Sequence, residues 1–355
     1  MSAQTIRIGI IGAGANTRKY HIPGLASQSG VEVVAVANRS KDSGERAAQE
    51  FGIEHVAADW TEIVDDDHID AVCIGTWPYM HAPVTIAALE AGKHVLCEAR
   101  MAMNAREAHT MLEASRERPG LTAQIVPAPH TLPFDQTIVD MIGRGYIGDL
   151  ISLDAHVAVG SQFPLWDSSV HWRHDRNLSG NNVMSMGIWY EAIMRWIGPA
   201  STVYALGQTV VTHRRGEDGH QVAMTIPDHI EVSCRMAQGG QMRLAVSTVI
   251  GHAPAVSISI YGTEGTIRLA QGEATGDGLQ LSAGRRGDAG LRTVDIVPEK
   301  RGGWRVEEEF INAIRGKETV TRTDLVTAVK YMEWTDAVAR SVRSGGTVPL
   351  PLKLG

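Results

Sequence analysis

Two glycines near the start of the chain stand at a spacing that suits the binding of a pyrophosphate. Residues 6–17 form a β-branched apolar run that breaks at Gly12 and Gly14. Such glycines permit a tight turn and a close approach of backbone to ligand, while the free N–H groups that begin the next helix favour anionic oxygens. The third glycine of the common G-x-G-x-x-G pattern is replaced by Thr17, so the motif is incomplete and its meaning depends on its surroundings.

The elements on both sides of this turn are those of a dinucleotide-binding fold. The isoleucine-rich run predicts a strand buried on both faces of a parallel sheet. A helix over residues 16–27 and a second strand, Val31–Ala37, follow at the expected distance. A glycine turn without a ligand, in some other α/β protein, is the alternative interpretation.

The end of the second strand bears on the choice between NAD and NADP. In a dinucleotide fold an acidic residue here binds the ribose 2′-hydroxyl of NAD, whereas an arginine pairs with the 2′-phosphate of NADP. The residues are Asn38, Arg39 and Ser40, none of them acidic. They permit NADP and mildly favour it, although an arginine that is simply solvated beyond a strand end explains the same pattern.

Further strands and helices alternate through the first third of the chain. The sequence predicts a helix over Lys41–Phe51, a third strand over 71–76, a helix over 84–91 and a fourth strand over 94–98. Alternation of this kind implies right-handed crossovers and a parallel sheet. The loops at Asn38, Thr76 and Glu98 should therefore gather at one edge of the sheet, around a ligand.

The pattern changes in the second part of the chain. From residue 151 onward, strand-like segments at 222–226, 230–236, 242–250 and 256–261 are separated by Gly or Pro turns without helices. Helices return near 306–315 and 324–343, and residues 272–290 predict a loop-bearing surface hairpin. We predict a domain over residues 1–123 and a second domain over 124–355, whose final helices can pack back on the first domain.

Composition excludes several classes of function. The chain has 355 residues, 43% of them hydrophobic, and a net charge of -7, which gives no electrostatic reason to expect nucleic acid or an anionic membrane. Its cysteines, Cys73, Cys97 and Cys234, form no C-x-x-C pair, which argues for a reducing compartment and against a disulfide framework or a metal site. No apolar signal segment opens the sequence and no apolar run of membrane-spanning length follows, so we expect a cytoplasmic enzyme.

Several motifs, in order, resemble the Gfo/Idh/MocA family, the glucose-fructose oxidoreductase and inositol dehydrogenase group. They lie at residues 12–14, 76–83 and 90–98, and continue in the second half at 134–148, 262–266 and 310–350. The resemblance implies an N-terminal Rossmann domain that binds NAD or NADP. It also implies a C-terminal α/β domain with a large, mostly antiparallel open sheet that carries the substrate and forms homodimers or homotetramers through its outer face.

The resemblance and the fold together predict the nucleotide-binding residues. They are Gly12, Gly14, Ala15, Asn16, Thr17, Asn38, Arg39, Ser40, Thr76, Trp77, Pro78, His81, Glu98 and Ala99.

The chain departs from the family at the residues that usually carry the chemistry. The family's Glu-Lys-Pro is Glu98-Ala99-Arg100 here, and its D-x-G-x-H aligns with a stretch in which Ser185 and Trp189 stand for the Asp and His. Oxidation of a secondary alcohol needs a base for the hydroxyl proton, worth a factor of roughly 10²–10⁴. Either other residues act here, or the reaction is not ordinary alcohol oxidation.

Nearby residues offer substitutes for the missing groups. We predict catalytic roles for Tyr190, Glu191 and His130 and substrate contacts for Arg100, Trp172, Arg173 and Trp189. Aromatic faces suit the C–H face of a sugar, and arginines suit a carboxylate, sulfonate or phosphate. Buried packing of the aromatic residues and a structural ion pair for Glu191 are the alternatives.

Three functions remain open at this stage. The first is an NAD(P)-dependent oxidoreductase that acts on a sugar, polyol or sugar acid with an atypical proton relay. The second is a redox-neutral enzyme that cleaves a glycosidic or C–O bond by transient oxidation, elimination and re-reduction. The third is a nucleotide-binding sensor without catalysis.

Overall fold

The computed structural model describes residues 5–272 and 278–353. The chain forms two compact units, one made of Met1–Pro127 and Arg305–Met332, the other of Ala128–Trp304 and Glu333–Gly355. The chain therefore returns to the first unit for a late segment. Part of the predicted surface hairpin, residues 273–277, lies outside the described residues.

The first unit contains a parallel sheet. Among the described residues it has six strands in the order β3-β2-β1-β4-β5-β6. The strands are β1 (Ile6–Ile11), β2 (Val31–Ala37), β3 (His55–Val56), β4 (Ala71–Ile74), β5 (His94–Cys97) and β6 (Ala123–Ile125). The switch in strand order between β1 and its neighbours β2 and β4 marks the point where such sheets bind ligands.

The helices of this unit follow the predicted alternation. They are α1 (Ile22–Ala26), α2 (Lys41–Phe51), α3 (Trp60–Asp65), α4 (Pro78–Glu90) and α5 (Ala105–Arg116). Helix α2 ends at Gly52, whose φ of 68° is the left-handed conformation that stops a helix. A π-helical turn over Thr17–His21 precedes α1.

The differences from the sequence prediction include the start of one helix and one additional strand. Helix α4 begins at Pro78 rather than at residue 84, because a proline fits the first turn of a helix, where its missing N–H is not needed. The short strand β3 was not predicted, so the predicted third and fourth strands are β4 and β5.

The second unit is organised on a large mixed sheet. Within the described ranges it has nine strands in the order β16-β15-β14-β13-β7-β12-β11-β8-β17. These strands are β7 (Leu150–Ala158), β8 (Ala200–Gln208), β11 (His229–Met236), β12 (Gln241–Ser247), β13 (Val256–Gly262), β14 (Gly265–Gln271), β15 (Leu279–Arg285), β16 (Arg292–Thr293) and β17 (Val348–Pro349), with a separate hairpin of β9 (His213–Arg215) and β10 (Gln221–Ala223). Strands β7 and β12 pair in parallel and the other neighbours are antiparallel, which confirms the predicted mostly antiparallel sheet.

The remaining helices include one that packs on this sheet. The remaining helices are α6 (Leu132–Gly143), α7 (Arg176–Ser179), α8 (Met186–Ile197), α9 (Val306–Ile314), which belongs to the first unit, and α10 (Leu325–Ser344), which runs from the first unit into the second. Ser341 accepts a hydrogen bond from the backbone N–H of Ala205, and the indole of Trp334 lies 3.3 Å from the sulfur of Cys234. No helix among the described residues is long and apolar enough to span a membrane.

Candidate active site

The glycine turn after β1 has the geometry of a phosphate-binding loop. Gly12 has a φ of 90°, and a Cβ there would lie 2.7 Å from the backbone nitrogen of Thr76, so only glycine fits. Gly14 is exposed, and a Cβ there would meet only the carbonyl oxygen of Gly75, at 3.4 Å. The folded chain itself does not require glycine at position 14, which is the expected result where a ligand approaches the backbone.

Asn38 and Arg39 meet this turn from the end of β2. The side-chain oxygen of Asn38 accepts a hydrogen bond of 2.7 Å from the backbone N–H of Ala13. Arg39 is exposed, and its guanidinium lies 5.2 Å from the ring centre of Trp77. The predicted residues of β2 and of the loop after β4 are therefore brought together.

Two buried hydroxyls beside the turn have no protein partner in the part of the chain that the structure describes. They belong to Thr17 and Thr76. Buried polar groups are normally hydrogen-bonded, so such hydroxyls are suited to a polar ligand. Together with the glycine turn they fit a bound dinucleotide. The other predicted residues here are Ala15 and Asn16, exposed in the turn, Ser40, exposed before α2, and Pro78, buried at the start of α4.

His81 links the loops that follow β4 and β5. It is fully buried, with Nε2 2.9 Å from the carbonyl oxygen of Thr76 and Nδ1 2.8 Å from that of Arg100. Burial lowers the pKa of His81, although both hydrogen bonds oppose this effect. The predicted role of His81 near the nucleotide is thus as a support for the two loops that carry Thr76 and Arg100.

Glu98, at the end of β5, belongs to a buried ionic cluster. Its Oε1 lies 3.1 Å from Nε2 of His21, and Nδ1 of His21 lies 2.6 Å from Oε1 of Glu307. Burial lowers the pKa of His21, but the hydrogen bonds and charges of Glu307 and Glu98 outweigh it and raise the pKa to about 9. Burial raises the pKa of Glu98, yet the hydrogen bond and charge of His21 bring it below its usual range.

The two residues after Glu98 differ from the family pattern. Ala99 donates its backbone N–H to Oε2 of Glu98 at 2.9 Å, and it is the residue that the sequence resemblance aligns with the family's lysine. Arg100 is 2% exposed. It belongs to the first unit, whereas the other predicted substrate residues belong to the second.

In the second unit His130 packs on Trp189. Their ring centres are 4.9 Å apart and the planes differ by 16°. Trp189 is 5% exposed, whereas His130 is exposed, and partial burial lowers the pKa of His130. A histidine that is neutral at pH 7 has a ring nitrogen with a lone pair, which can accept a proton.

Tyr190 lies in the core, away from this stacked pair. Its side chain is 0% exposed, its ring stacks on Trp334 at 4.1 Å, and its oxygen accepts a hydrogen bond of 2.8 Å from the backbone N–H of Ala200. Burial raises the pKa of Tyr190, so its hydroxyl stays protonated near neutral pH. These contacts favour a structural role over the predicted catalytic one.

Glu191 also serves the interior of the second unit. It is 2% exposed, accepts a hydrogen bond of 2.6 Å from the backbone N–H of Ala128, and pairs with Arg195 at 2.8 Å. Arg195 in turn bonds Asp135 at 2.5 Å. The geometry favours the structural ion pair that the sequence left open, because the carboxylate is already engaged on both oxygens.

The segment around Trp172 gathers aromatic and cationic groups. The guanidinium of Arg173 lies 4.2 Å from the ring centre of Trp172, and both residues are half-buried. His171 packs against Trp172 at 5.5 Å. Burial, followed by the charge of Arg214, lowers the pKa of His174 to about 4, so His174 is neutral at pH 7.

The sequence interpretation missed Glu307 and assigned no role to the hydroxyl of Ser185. Glu307 lies 286 positions from His21, and no local pattern connects the two residues. The hydroxyl of Ser185, which the sequence resemblance aligns with the family's Asp, is buried and has no hydrogen-bond partner among the described residues. A departure from the family pattern was the only signal available for Ser185.

Two family models match the chain over consecutive regions. The oxidoreductase family with an NAD-binding Rossmann fold, Gfo/Idh/MocA, matches residues 6–124, and the Gfo/Idh/MocA C-terminal domain matches residues 136–268. The chain belongs to the Gfo/Idh/MocA family. It is thus an oxidoreductase of a family that binds NAD, as the sequence predicted.

Related proteins and structures agree with this assignment. Levoglucosan dehydrogenase of Pseudarthrobacter phenanthrenivorans is 25% identical over 85% of this chain and 83% of its own. The dTDP-3,4-didehydro-2,6-dideoxy-alpha-D-glucose 3-reductase of Streptomyces antibioticus is 26% identical over 96% of this chain and 99% of its own. A structure of levoglucosan dehydrogenase with NADH and L-sorbose has a TM-score of 0.82 at 21% identity, covering 98% of this chain and 99% of that one.

Proposed function

We propose that this Gfo/Idh/MocA protein is an NAD(P)-dependent oxidoreductase of a sugar, polyol or sugar acid, with His130 as the group that carries the hydroxyl proton. The observation that carries the proposal is the stacking of His130 on Trp189, the residue that the sequence resemblance aligns with the family's His. His130 is exposed and, by its lowered pKa, neutral at pH 7. It therefore has the properties of a general base, which the buried Tyr190 and Glu191 do not.

The residues of each unit have separate tasks in this proposal. When bound, NAD(P) supplies the acceptor or donor of the hydride. Gly12 and Gly14 bind the pyrophosphate, and the hydroxyls of Thr17 and Thr76 donate hydrogen bonds to the nucleotide. A ring nitrogen of His130 takes the proton of the substrate hydroxyl, and the Ser185 hydroxyl orients the substrate from the position of the family's Asp.

The sugar-like substrate is proposed from the relatives and from the second unit. Levoglucosan and dTDP-sugar enzymes are among the relatives. Trp172 offers a flat apolar face, and Arg173, held 4.2 Å from that ring, offers a forked donor for a carboxylate or phosphate. Because Arg100 is buried, we base the anion-binding part of the proposal on Arg173 rather than on Arg100.

We propose that NADP is accepted and mildly preferred to NAD. The side-chain oxygen of Asn38 is engaged by the N–H of Ala13, and Arg39 lies exposed beside Trp77. No carboxylate follows β2 directly to repel a 2′-phosphate.

The wider organisation is proposed as follows. Residues 1–123 bind the nucleotide and residues 124–355 bind the substrate and form oligomers, with the late segment 305–332 completing the first unit. The free, buried thiols of Cys73, Cys97 and Cys234 suit the reducing cytoplasm.

The test is a nicotinamide-absorbance screen of the purified protein against a panel of sugars, polyols and sugar acids with NAD and NADP. We expect reduction of the nucleotide with at least one member of the panel. An Arg39→Ala variant should lose affinity for NADP more than for NAD. Equal losses of affinity for the two nucleotides would mean that Arg39 is a solvated surface residue that does not bind the 2′-phosphate.

The same screen separates the alternatives. Consumption of a glycoside without net change in absorbance would favour transient oxidation with bond cleavage. Nucleotide binding without any turnover would favour a sensor, and absence of nucleotide binding would remove the proposal.

A further inference from the structure

His21, Glu98 and Glu307 form a three-residue ionic cluster, here called the buried triad. Their side chains come from the π-helical turn after the glycine loop, from the end of β5 and from the first turn of α9. The three residues are 0%, 7% and 3% exposed, and the imidazole stands between the carboxylates at 2.6 Å and 3.1 Å. One imidazolium between two carboxylates leaves a net charge of one negative unit.

Among the described residues, two thiols and one imidazole outside the triad interact electrostatically with Glu98. Burial raises the pKa of Cys73 and of Cys97 far above neutrality, so both thiols are uncharged. Burial lowers the pKa of His81, although its hydrogen bonds to the carbonyl oxygens of Thr76 and Arg100 oppose this effect. Arg100 is the cation of the loop after β5, and its charge stays the same in every comparison proposed below.

The order of the strands relates the triad to the two ends of a dinucleotide. In this fold the adenosine ribose binds at the end of β2, and the pyrophosphate binds at the turn after β1. The ends of β4 and β5 lie on the opposite side of β1 from β2. The nicotinamide is therefore expected on the side of the sheet where Glu98 follows β5.

The charge of the nicotinamide depends on its redox state. The oxidised ring carries a positive charge and the reduced ring is neutral. A negative charge in a poorly solvated site stabilises a nearby cation more strongly than it does in water.

We propose that His21 and Glu307 are positioning residues that hold the Glu98 carboxylate at the nicotinamide end, and that the net charge of the triad favours oxidised over reduced nucleotide. This inference rests on the proposed nucleotide-dependent function and adds a preference between the two forms of the cofactor. It assigns a role to the late segment, since Glu307 comes from α9.

The first test is the ratio of dissociation constants for NADH and NAD⁺, measured by calorimetry at pH 6, where His21 keeps its proton. In Glu307→Gln with His21 still protonated, as nuclear magnetic resonance of its ring verifies, the triad loses one negative charge, and the preference for NAD⁺ should fall by on the order of fivefold. Glu309→Gln is the matched control, because Glu309 is also buried in α9 but bonds Gln124 and Thr321 instead of His21. The ratio of the NADH and NAD⁺ dissociation constants in Glu309→Gln should equal that of the wild type. Equal ratios in all three proteins would overturn the proposal.

The second test uses the wild-type protein and so does not depend on the folding of a variant. Coupling between two sites is reciprocal, so the cation of NAD⁺ should lower the pKa of His21 relative to the NADH complex, by roughly half a pH unit. Nuclear magnetic resonance of the histidine ring gives both values. The same pKa in the two complexes would overturn the proposal, whereas a wild type that binds neither nucleotide would overturn the proposed function itself.

Discussion

His130 and Tyr190 show how neighbouring candidates receive opposite roles from their surroundings. His130 is exposed on the face of Trp189, whereas the next helix residue, Tyr190, directs its hydroxyl to the N–H of Ala200. His130 has no ring nitrogen hydrogen-bonded to another described residue, and partial burial lowers its pKa. Tyr190 satisfies a buried backbone donor, which is a structural task.

We expect His130→Gln to lower kcat by at least about a hundredfold while the dissociation constant for the nucleotide is unchanged, because a positioned base contributes about that much. The wild-type kcat should fall as the pH drops through the pKa of His130, since the protonated ring cannot accept a proton. Steady-state kinetics on a substrate found by the screen measures both effects.

Tyr190→Phe serves as the comparison. It should retain kcat but unfold more easily, by roughly 1–3 kcal/mol, because the N–H of Ala200 loses its buried partner. A hundredfold loss of kcat in Tyr190→Phe, with a normal rate in His130→Gln, would reverse the assignment.

At the scale of elements, α9 contributes to the first unit through buried polar contacts. Glu307 bonds His21 near the glycine loop, and Glu309 bonds Gln124 at the end of the sheet. The late segment is therefore part of the nucleotide-binding unit even though it is far from that unit in sequence.

The triad predicts a loss of stability in alkaline solution. The pKa of His21 is raised from 6.5 to about 9 in the folded protein. The stabilisation is therefore fully present below pH 6.5 and is lost as the pH rises through about 9, amounting to roughly 3 kcal/mol. Urea unfolding between pH 6 and 10 should show this loss in the wild type and a flatter profile in His21→Gln. If the free energy of unfolding changed with pH in the same way in both proteins, folding would not raise the pKa of His21.

At the scale of the whole molecule, the face of the large sheet opposite α10 carries exposed side chains in the part of the chain that the structure describes. Val203 and Ala205 of β8 are buried, while the alternating Tyr204 and Leu206 are 39% and 58% exposed. Tyr261 is exposed on β13, and Arg243 pairs with Asp154 at 3.3 Å on neighbouring strands. An open sheet face with large apolar side chains is suited to self-association.

We predict a homodimer or homotetramer through this face, as the family resemblance implies. Leu206→Arg should place a charge in the contact and give monomers in size-exclusion chromatography with light scattering. Val297→Arg is the control, because Val297 is also exposed, at 47%, but lies outside the strands of the sheet. A monomeric wild type would refute the prediction.

The sequence alone determined the features that depend on local patterns. The isoleucine run of β1, the stop of α2 at Gly52 and the alternation of later strands were readable because apolar periodicity and glycine conformations act over a few residues. The motifs in order determined the family. Tertiary structure decided the rest: His21 meets a glutamate 286 positions away, and the direction of Tyr190 follows from packing on Trp334. Contacts between distant segments depend on how whole elements pack, and no local pattern of residues records that arrangement.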